Sequence, residues 1–275
     1  MSRIITALIA LPILIASIYF SWLWPLFIAI AAAAMVFGLH EFWSLARRRS
    51  MKPDLAVGFM GAAGLFVGFC FDAPGKFPQL LLVTVIVFVI AALAAEMLHG
   101  APFDKILGSA GATVLGVLYV VLLGGHLVSL RIGFDEKLSM HLLSFFFLVV
   151  MGSDVGAYYT GRAFGRHKLA PRVSPGKTWE GAIGGMAASL LLATLAHFWF
   201  FQEMSLKATL PLAAVLNIFG VVGDLTESAL KRGAGAKDAA NILPGHGGVL
   251  DRLDSLLFNA PVIYYFALIY FLEKQ

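Results

Sequence analysis

Apolar residues run along this chain in long blocks separated by short polar stretches. The blocks exceed the length of ordinary strands or surface helices. A helix that crosses a bilayer needs about 20 mostly apolar residues. Nine stretches approach that length: Ile4–Phe20, Trp22–Trp43, Leu55–Phe71, Phe77–Leu98, Ile106–Leu130, Met140–Tyr159, Trp179–Phe201, Leu210–Leu230 and Leu256–Leu272. The pattern predicts an all-α polytopic membrane protein with about nine transmembrane helices. Only Ser21 and the region of Pro25 separate the first two blocks, which leaves open a tight hairpin or one re-entrant element. Arg3 ahead of an apolar run also fits a cleaved signal peptide, but eight further blocks make an uncleaved first helix the simpler expectation.

Composition agrees with the pattern. Of 275 residues, 60% are hydrophobic and 13% charged, against roughly 45–50% and 25% in soluble domains. Mean hydropathy is +0.86. These values exclude a soluble enzyme, a disordered chain and a conventional nucleic-acid binder, so no nucleic-acid partner is expected. The net charge of +4 reads as an excess of Lys and Arg in cytoplasmic segments. With the N-terminus inside and nine crossings, 15 of the 20 Lys and Arg residues fall on the inside and 5 outside. A miscount by one crossing scrambles this asymmetry. Cys70 is the single cysteine; it rules out an intrachain disulfide and reads as a free thiol in an apolar stretch.

Polar chemistry is unevenly spread. Residues 1–150 form short-looped apolar helices suited to packing, dimer or lipid contacts. Residues 151–275 carry two long polar segments on the inside, near Gly161–Thr178 and Lys231–Asp254. Asp154, Glu180, Asp224, Glu227, Asp251 and Asp254 fall at or near the inside ends of the last four blocks. Ionisable groups at such depth are costly and mark function by default. Asp224, Glu227 and Lys231 share one helical face, as do Asp251 and Asp254. A Glu227–Lys231 ion pair and acidic capping of the last helix are the plain structural readings. Hard carboxylates without Cys or clustered His favour Mg²⁺ serving a phosphate substrate.

The neighbouring cations fit that chemistry. Lys231, Arg232, Lys237 and Arg252 lie among the carboxylates, and Arg grips phosphate in a bidentate manner. Anchoring at headgroup level is their alternative role. Gly233–Ala236 and Gly245–Gly248, including Gly247 and Gly248, offer backbone that can approach a polyphosphate closely. His246, between Gly245 and Gly247, is a candidate for substrate contact or acid/base work. Ser174-Pro175-Gly176-Lys177-Thr178 looks like the end of a phosphate-binding loop, but Pro171 stands where its first glycine belongs. A Gly, a Lys and a hydroxyl at a helix N-terminus still suit phosphate; capping by Ser174 or Thr178 is the alternative. Asp154, Tyr158 and Arg162 are the polar group expected to face this segment.

Ser228-Ala-Leu-Lys231-Arg232, then Lys237-Asp238, then Leu243-Pro244-Gly245-His246-Gly247-Gly248-Val-Leu-Asp251-Arg252-Leu-Asp254 resembles the signature of phosphatidate cytidylyltransferases, the CDP-diacylglycerol synthases. Ser153-Asp154…Ala157-Tyr158…Gly161-Arg162-x-Phe164-Gly165 and Ser174–Gly181 are similar to further motifs of that family, with Val155 where Thr is more usual. The likeness covers about residues 150–260. It implies that CTP and phosphatidic acid react to give CDP-diacylglycerol and pyrophosphate, with Mg²⁺ and in some members a monovalent cation. It also implies a bacterial inner-membrane or endoplasmic-reticulum protein, known to form dimers; the expectation here is a multi-pass inner-membrane protein with its site facing the cytoplasm. The family's metal-binding aspartates map to Asp224 and Asp251. Lys231, Arg232, Lys237 and Arg252 would neutralise the substrate phosphates. Ser174, Lys177, Thr178, Asp154, Arg162, Ser228, Asp238 and Asp254 complete the expected site.

An ion- or proton-coupled transporter is the rival from another class, since it too buries acids in helices. Its polar groups belong near the bilayer midplane, in broken helices of both halves. The aspartate pattern of CDP-alcohol phosphotransferases is absent from the chain.

Overall fold

The computed structural model describes residues 2–71, 79–98, 103–239 and 247–272. Its elements in order are α1 (Ser2–Tyr19), α2 (Trp24–Arg47), α3 (Leu55–Phe71), α4 (Leu80–Leu98), α5 (Phe103–Val117), α6 (Leu123–Ile132), α7 (Glu136–Phe164), β1 (Lys168–Ala170), β2 (Ser174–Thr178), α8 (Trp179–Trp199), α9 (Leu206–Gly233) and α10 (Leu250–Ala267). A π turn at Leu118–Leu122 joins α5 to α6 in one continuous span, and another extends α10 to Leu272. Among the described residues seven helices are long and apolar enough to cross a membrane. Two shorter apolar helices, Ala10–Tyr19 and Leu55–Phe71, supply the other two expected blocks. Exposed Leu82, Ile86, Ile90, Ile183, Leu191 and Phe198 line the outer faces of these helices, where a bilayer replaces water as solvent.

Two expectations need correction. The segment Gly161–Thr178 is not a plain loop: β1 and β2 pair antiparallel there, with Lys168 opposite Thr178. The polar segment beginning at Lys231 is also shorter than expected, because α9 runs on to Gly233 and α10 starts at Leu250. Hydropathy marks the lipid-immersed part of a helix, not its end, so a helix whose polar residues find partners continues past the apolar block.

Small residues draw α7 and α8 together along their length. A Cβ on Gly156 would stand 3.1 Å from the Gly184 carbonyl oxygen, and one on Gly185 equally close to the Ser153 carbonyl oxygen. Without a hydrophobic driving force between helices in lipid, such close backbone approach is what holds them. α9 joins the pair through a hydrogen bond from the Asn217 amide to the Ser153 hydroxyl. Two apolar cores result. One gathers Leu142, Phe145, Phe146, Ala193, Phe201, Leu216 and Ile263. The other gathers Leu39, Trp43, Leu65, Phe69, Val120, Leu250 and Leu257. Each draws on residues from both sides of position 150.

Hydrogen bonds define which helix ends lie together. Arg49 Nε donates to the Gly233 carbonyl, joining the C-terminal ends of α2 and α9. Arg232 Nε donates to Val173 of the hairpin at 3.4 Å. The Lys52 amide donates to Ser109 Oγ, bringing the segment ahead of α3 against the first half of α5. Arg47–Arg49, Lys52, Arg172, Lys177, Lys231 and Arg232 therefore gather at one end of the bundle. At the other end Lys137 pairs with Glu203 at 2.8 Å, and the Ser205 amide bonds to the Tyr270 hydroxyl.

Candidate active site

The site forms where α7, α9, α10 and the hairpin meet at the basic end. α9 and α10 touch at Gly223: a Cβ there would lie 2.5 Å from the Asp254 carbonyl oxygen. This contact sets Asp224 beside Asp254. β2 then delivers Lys177, whose ammonium pairs with Asp224 Oδ2. Both side chains remain partly open to solvent. Ser228, one turn further along α9, donates to Asp224 Oδ1 at 3.4 Å. Asp154 of α7 accepts from Ser255 Oγ at 3.2 Å. Asp154, Asp224 and Asp254 lie within electrostatic reach of one another and of Lys177.

A second network abuts the first. Lys231 Nζ stands 2.5 Å from Glu227 Oε2 and 2.6 Å from Asp251 Oδ1. The Glu227 side chain is fully buried, and its Oε1 accepts no hydrogen bond among the described residues. Asp251 Oδ2 accepts from the amides of Gly248 at 2.7 Å and Ala239 at 3.3 Å. Gly247 holds φ +79°, a left-handed conformation that favours glycine. It turns the chain so that Gly248 can cap Asp251.

The expected residues divide clearly. Asp154, Lys177, Asp224, Ser228 and Asp254 gather in one network, and Lys231, Glu227 and Asp251 in the other. Arg232 folds back on the chain, donating to Ala236 at 3.3 Å. Lys237, Asp238 and Arg252 are exposed beside the network. Arg162 donates to the Tyr158 hydroxyl at 3.3 Å. Ser174 is half-buried on β2. Thr178 is the N-cap of α8, its hydroxyl accepting from the Gly181 amide at 3.1 Å. His246 lies outside the described residues.

Glu180 departs from the expected convergence of six carboxylates. It accepts from His167 Nδ1 at 2.6 Å and from the amides of Arg166 and His167, closing the turn between α7 and β1. The antiparallel pairing of Lys168 with Thr178 sets the donors of that turn beside the first turn of α8, where Glu180 stands.

The first half offers no candidate by motif, yet the structure brings Glu41 to the edge of the second network. This α2 residue is fully buried and accepts from the amides of Val249 at 2.8 Å and Leu250 at 2.7 Å. An acid inside an apolar block was the available signal.

Among the described residues no three His, Cys, Asp or Glu side chains stand ready as a metal cage. The donors present are hard carboxylate oxygens, with one lysine ammonium among three carboxylates in the first network and among two in the second. That set suits an ion that uses one or two carboxylates and takes its remaining ligands from water and phosphate, as Mg²⁺ does.

A profile of the cytidylyltransferase family matches residues 1–270. The chain belongs to this family. Relatives include proteins named phosphatidate cytidylyltransferase from three bacteria. That of Haemophilus influenzae is 46% identical over 136 residues, 48% of this chain and 47% of the relative. That of Pseudomonas aeruginosa is 50% identical over 116 residues, 42% and 43% of the two chains. That of Bacillus subtilis is 38% identical over 166 residues, 59% and 58%. The chain thus spans about half the length of the curated relatives it matches.

Proposed function

We propose that this cytidylyltransferase-family protein joins CTP to phosphatidic acid, giving CDP-diacylglycerol and pyrophosphate. The observation that carries this reading is the paired bridge Lys177–Asp224 and Lys231–Asp251 at one end of the bundle, two cations set among carboxylates that outnumber them. A phosphate oxygen of phosphatidic acid attacks the α-phosphorus of CTP; the bond from that phosphorus to the bridging oxygen breaks, and pyrophosphate departs. The nucleophile is already an anion, so charge neutralisation and alignment do the work rather than a strong base.

Asp224 and Asp251 would hold Mg²⁺, which when bound neutralises charge on the triphosphate. Lys177 and Lys231 then exchange their carboxylate partners for phosphate oxygens. Arg232, Lys237 and Arg252 bind the outer phosphates. Asp154 and Asp254 lie beside Lys177 and direct it. The acyl chains stay in the bilayer while the headgroup meets CTP.

Depth supports this reading over transport. Asp154 and Asp224 each stand about 27 Å from the start of their helices at 1.5 Å per residue, near the far edge of a hydrocarbon core of about 30 Å. Family membership and this position leave the transporter reading without support. The clustering of basic residues at the same end favours a cytoplasmic site and a cytoplasmic N-terminus, in a bacterial inner membrane.

The test uses purified protein in detergent with phosphatidic acid, Mg²⁺ and each of the four ribonucleoside triphosphates. Lipid product and pyrophosphate are expected with CTP alone, and EDTA stops both. Folded, lipid-supplied protein that makes no liponucleotide from any of them overturns the proposal.

A further inference from the structure

Helix α10 begins without a cap of its own. Its N-cap residue, Val249, offers no side-chain acceptor, yet the first amides of a helix need partners. They find one 208 residues away in sequence, where the Glu41 carboxylate takes the Val249 and Leu250 amides at 2.8 and 2.7 Å. Glu41 is fully buried on a mostly apolar stretch of α2. A buried carboxylate is costly unless it is compensated, and a helix N-terminus supplies both donors and positive dipole. Gly248 belongs to the same seat. A Cβ there would fall on the Glu41 carboxylate, within 2.9 Å of Oε1. Gly248 is thus required for room beside Glu41, whatever else it does for substrate.

The next residue in α10 is Asp251, which bonds to Gly248 and Lys231. We propose that Glu41 is a positioning residue: α2 locks the N-terminus of α10 and through it fixes Asp251 against Lys231. The N-terminal half of the chain thereby takes part in the site. The role of Asp251 rests on the function proposed above; the lock itself does not.

The test compares wild type with Glu41→Gln and Gly248→Ala, both in detergent. Hydrogen exchange of residues 247–252 reports the lock directly. Exchange there is expected to rise about tenfold or more in both variants, as lost charge-assisted bonds imply, with protection elsewhere in α2 and α10 retained. In the activity arm, the Mg²⁺ concentration for half-maximal turnover is expected to rise about tenfold, with KM for CTP changing less. Unchanged exchange at 247–252 in Glu41→Gln overturns the lock. Uniform loss of protection across α2 and α10 also overturns it, because Glu41 is then a general stability residue. Faster local exchange with an unaltered Mg²⁺ requirement overturns the link to Asp251. Wild-type protein inactive with every nucleotide would sink the reaction assigned above, and the exchange comparison would still decide the lock.

Discussion

Replacing Lys231 by Met removes the ammonium that stands between Glu227 and Asp251. At an effective dielectric of about 20, contacts of 2.5 and 2.6 Å each correspond to roughly 6 kcal/mol of gross attraction. Desolvation offsets most of this, since the Glu227 side chain is 0% exposed and that of Lys231 13%. Breaking such a buried arrangement by removing one partner costs about 3–5 kcal/mol. The slight exposure of Lys231 places the variant near the lower end, at about 3 kcal/mol. Glu227→Gln alone should cost about 1 kcal/mol, and in the same chain it removes one of the two stranded charges, so the double variant should lose about 2 kcal/mol rather than about 4, a coupling of about 2 kcal/mol. The assay is denaturant unfolding in micelles without nucleotide or metal, followed by tryptophan fluorescence for the wild type, both single variants and the double. It reads stability alone and does not depend on the reaction. Additivity within about 0.5 kcal/mol would refute the reasoning, because the bridge would then carry no net energy.

Asp224→Asn and Asp251→Asn should each abolish CDP-diacylglycerol formation while the protein still inserts and elutes as a single folded species; near-normal turnover in either removes that residue from metal binding. Thr178→Ala should cost about 1 kcal/mol of stability through loss of the α8 cap and leave turnover within about threefold; a collapse of turnover with unchanged stability would reassign the hydroxyl to substrate. At the opposite end, burial raises the Glu203 carboxyl, but Lys137 at 2.8 Å and His141 at 3.1 Å more than offset it and hold it below the ordinary range. Its contribution to stability is present above the ordinary carboxylate pKa and is lost as pH falls through the lowered one; thermal unfolding against pH should therefore flatten in Glu203→Gln on the acid side.

The membrane class, the apolar blocks and their approximate limits were legible in the chain, because burial in lipid demands uninterrupted apolar helices with internally satisfied backbones. So was the acid and base content of the site: Asp224, Glu227 and Lys231 share a face by helical periodicity alone, and the Glu227–Lys231 pair forms as spacing required. Which acid meets which base across helices was not legible. Local spacing says nothing about the contact at Gly223 that brings Asp254 to Asp224, or about the hairpin that carries Lys177 to α9. Nor could it separate Glu180, tied to His167, from the acids that do converge, or foresee Glu41 reaching α10 from α2. Hydropathy along the chain already requires a bilayer and names the polar groups that must be compensated there. How each is compensated follows from helix packing, because a buried charge is settled by whatever donor lies within about 3 Å in space, and chain position does not encode that distance.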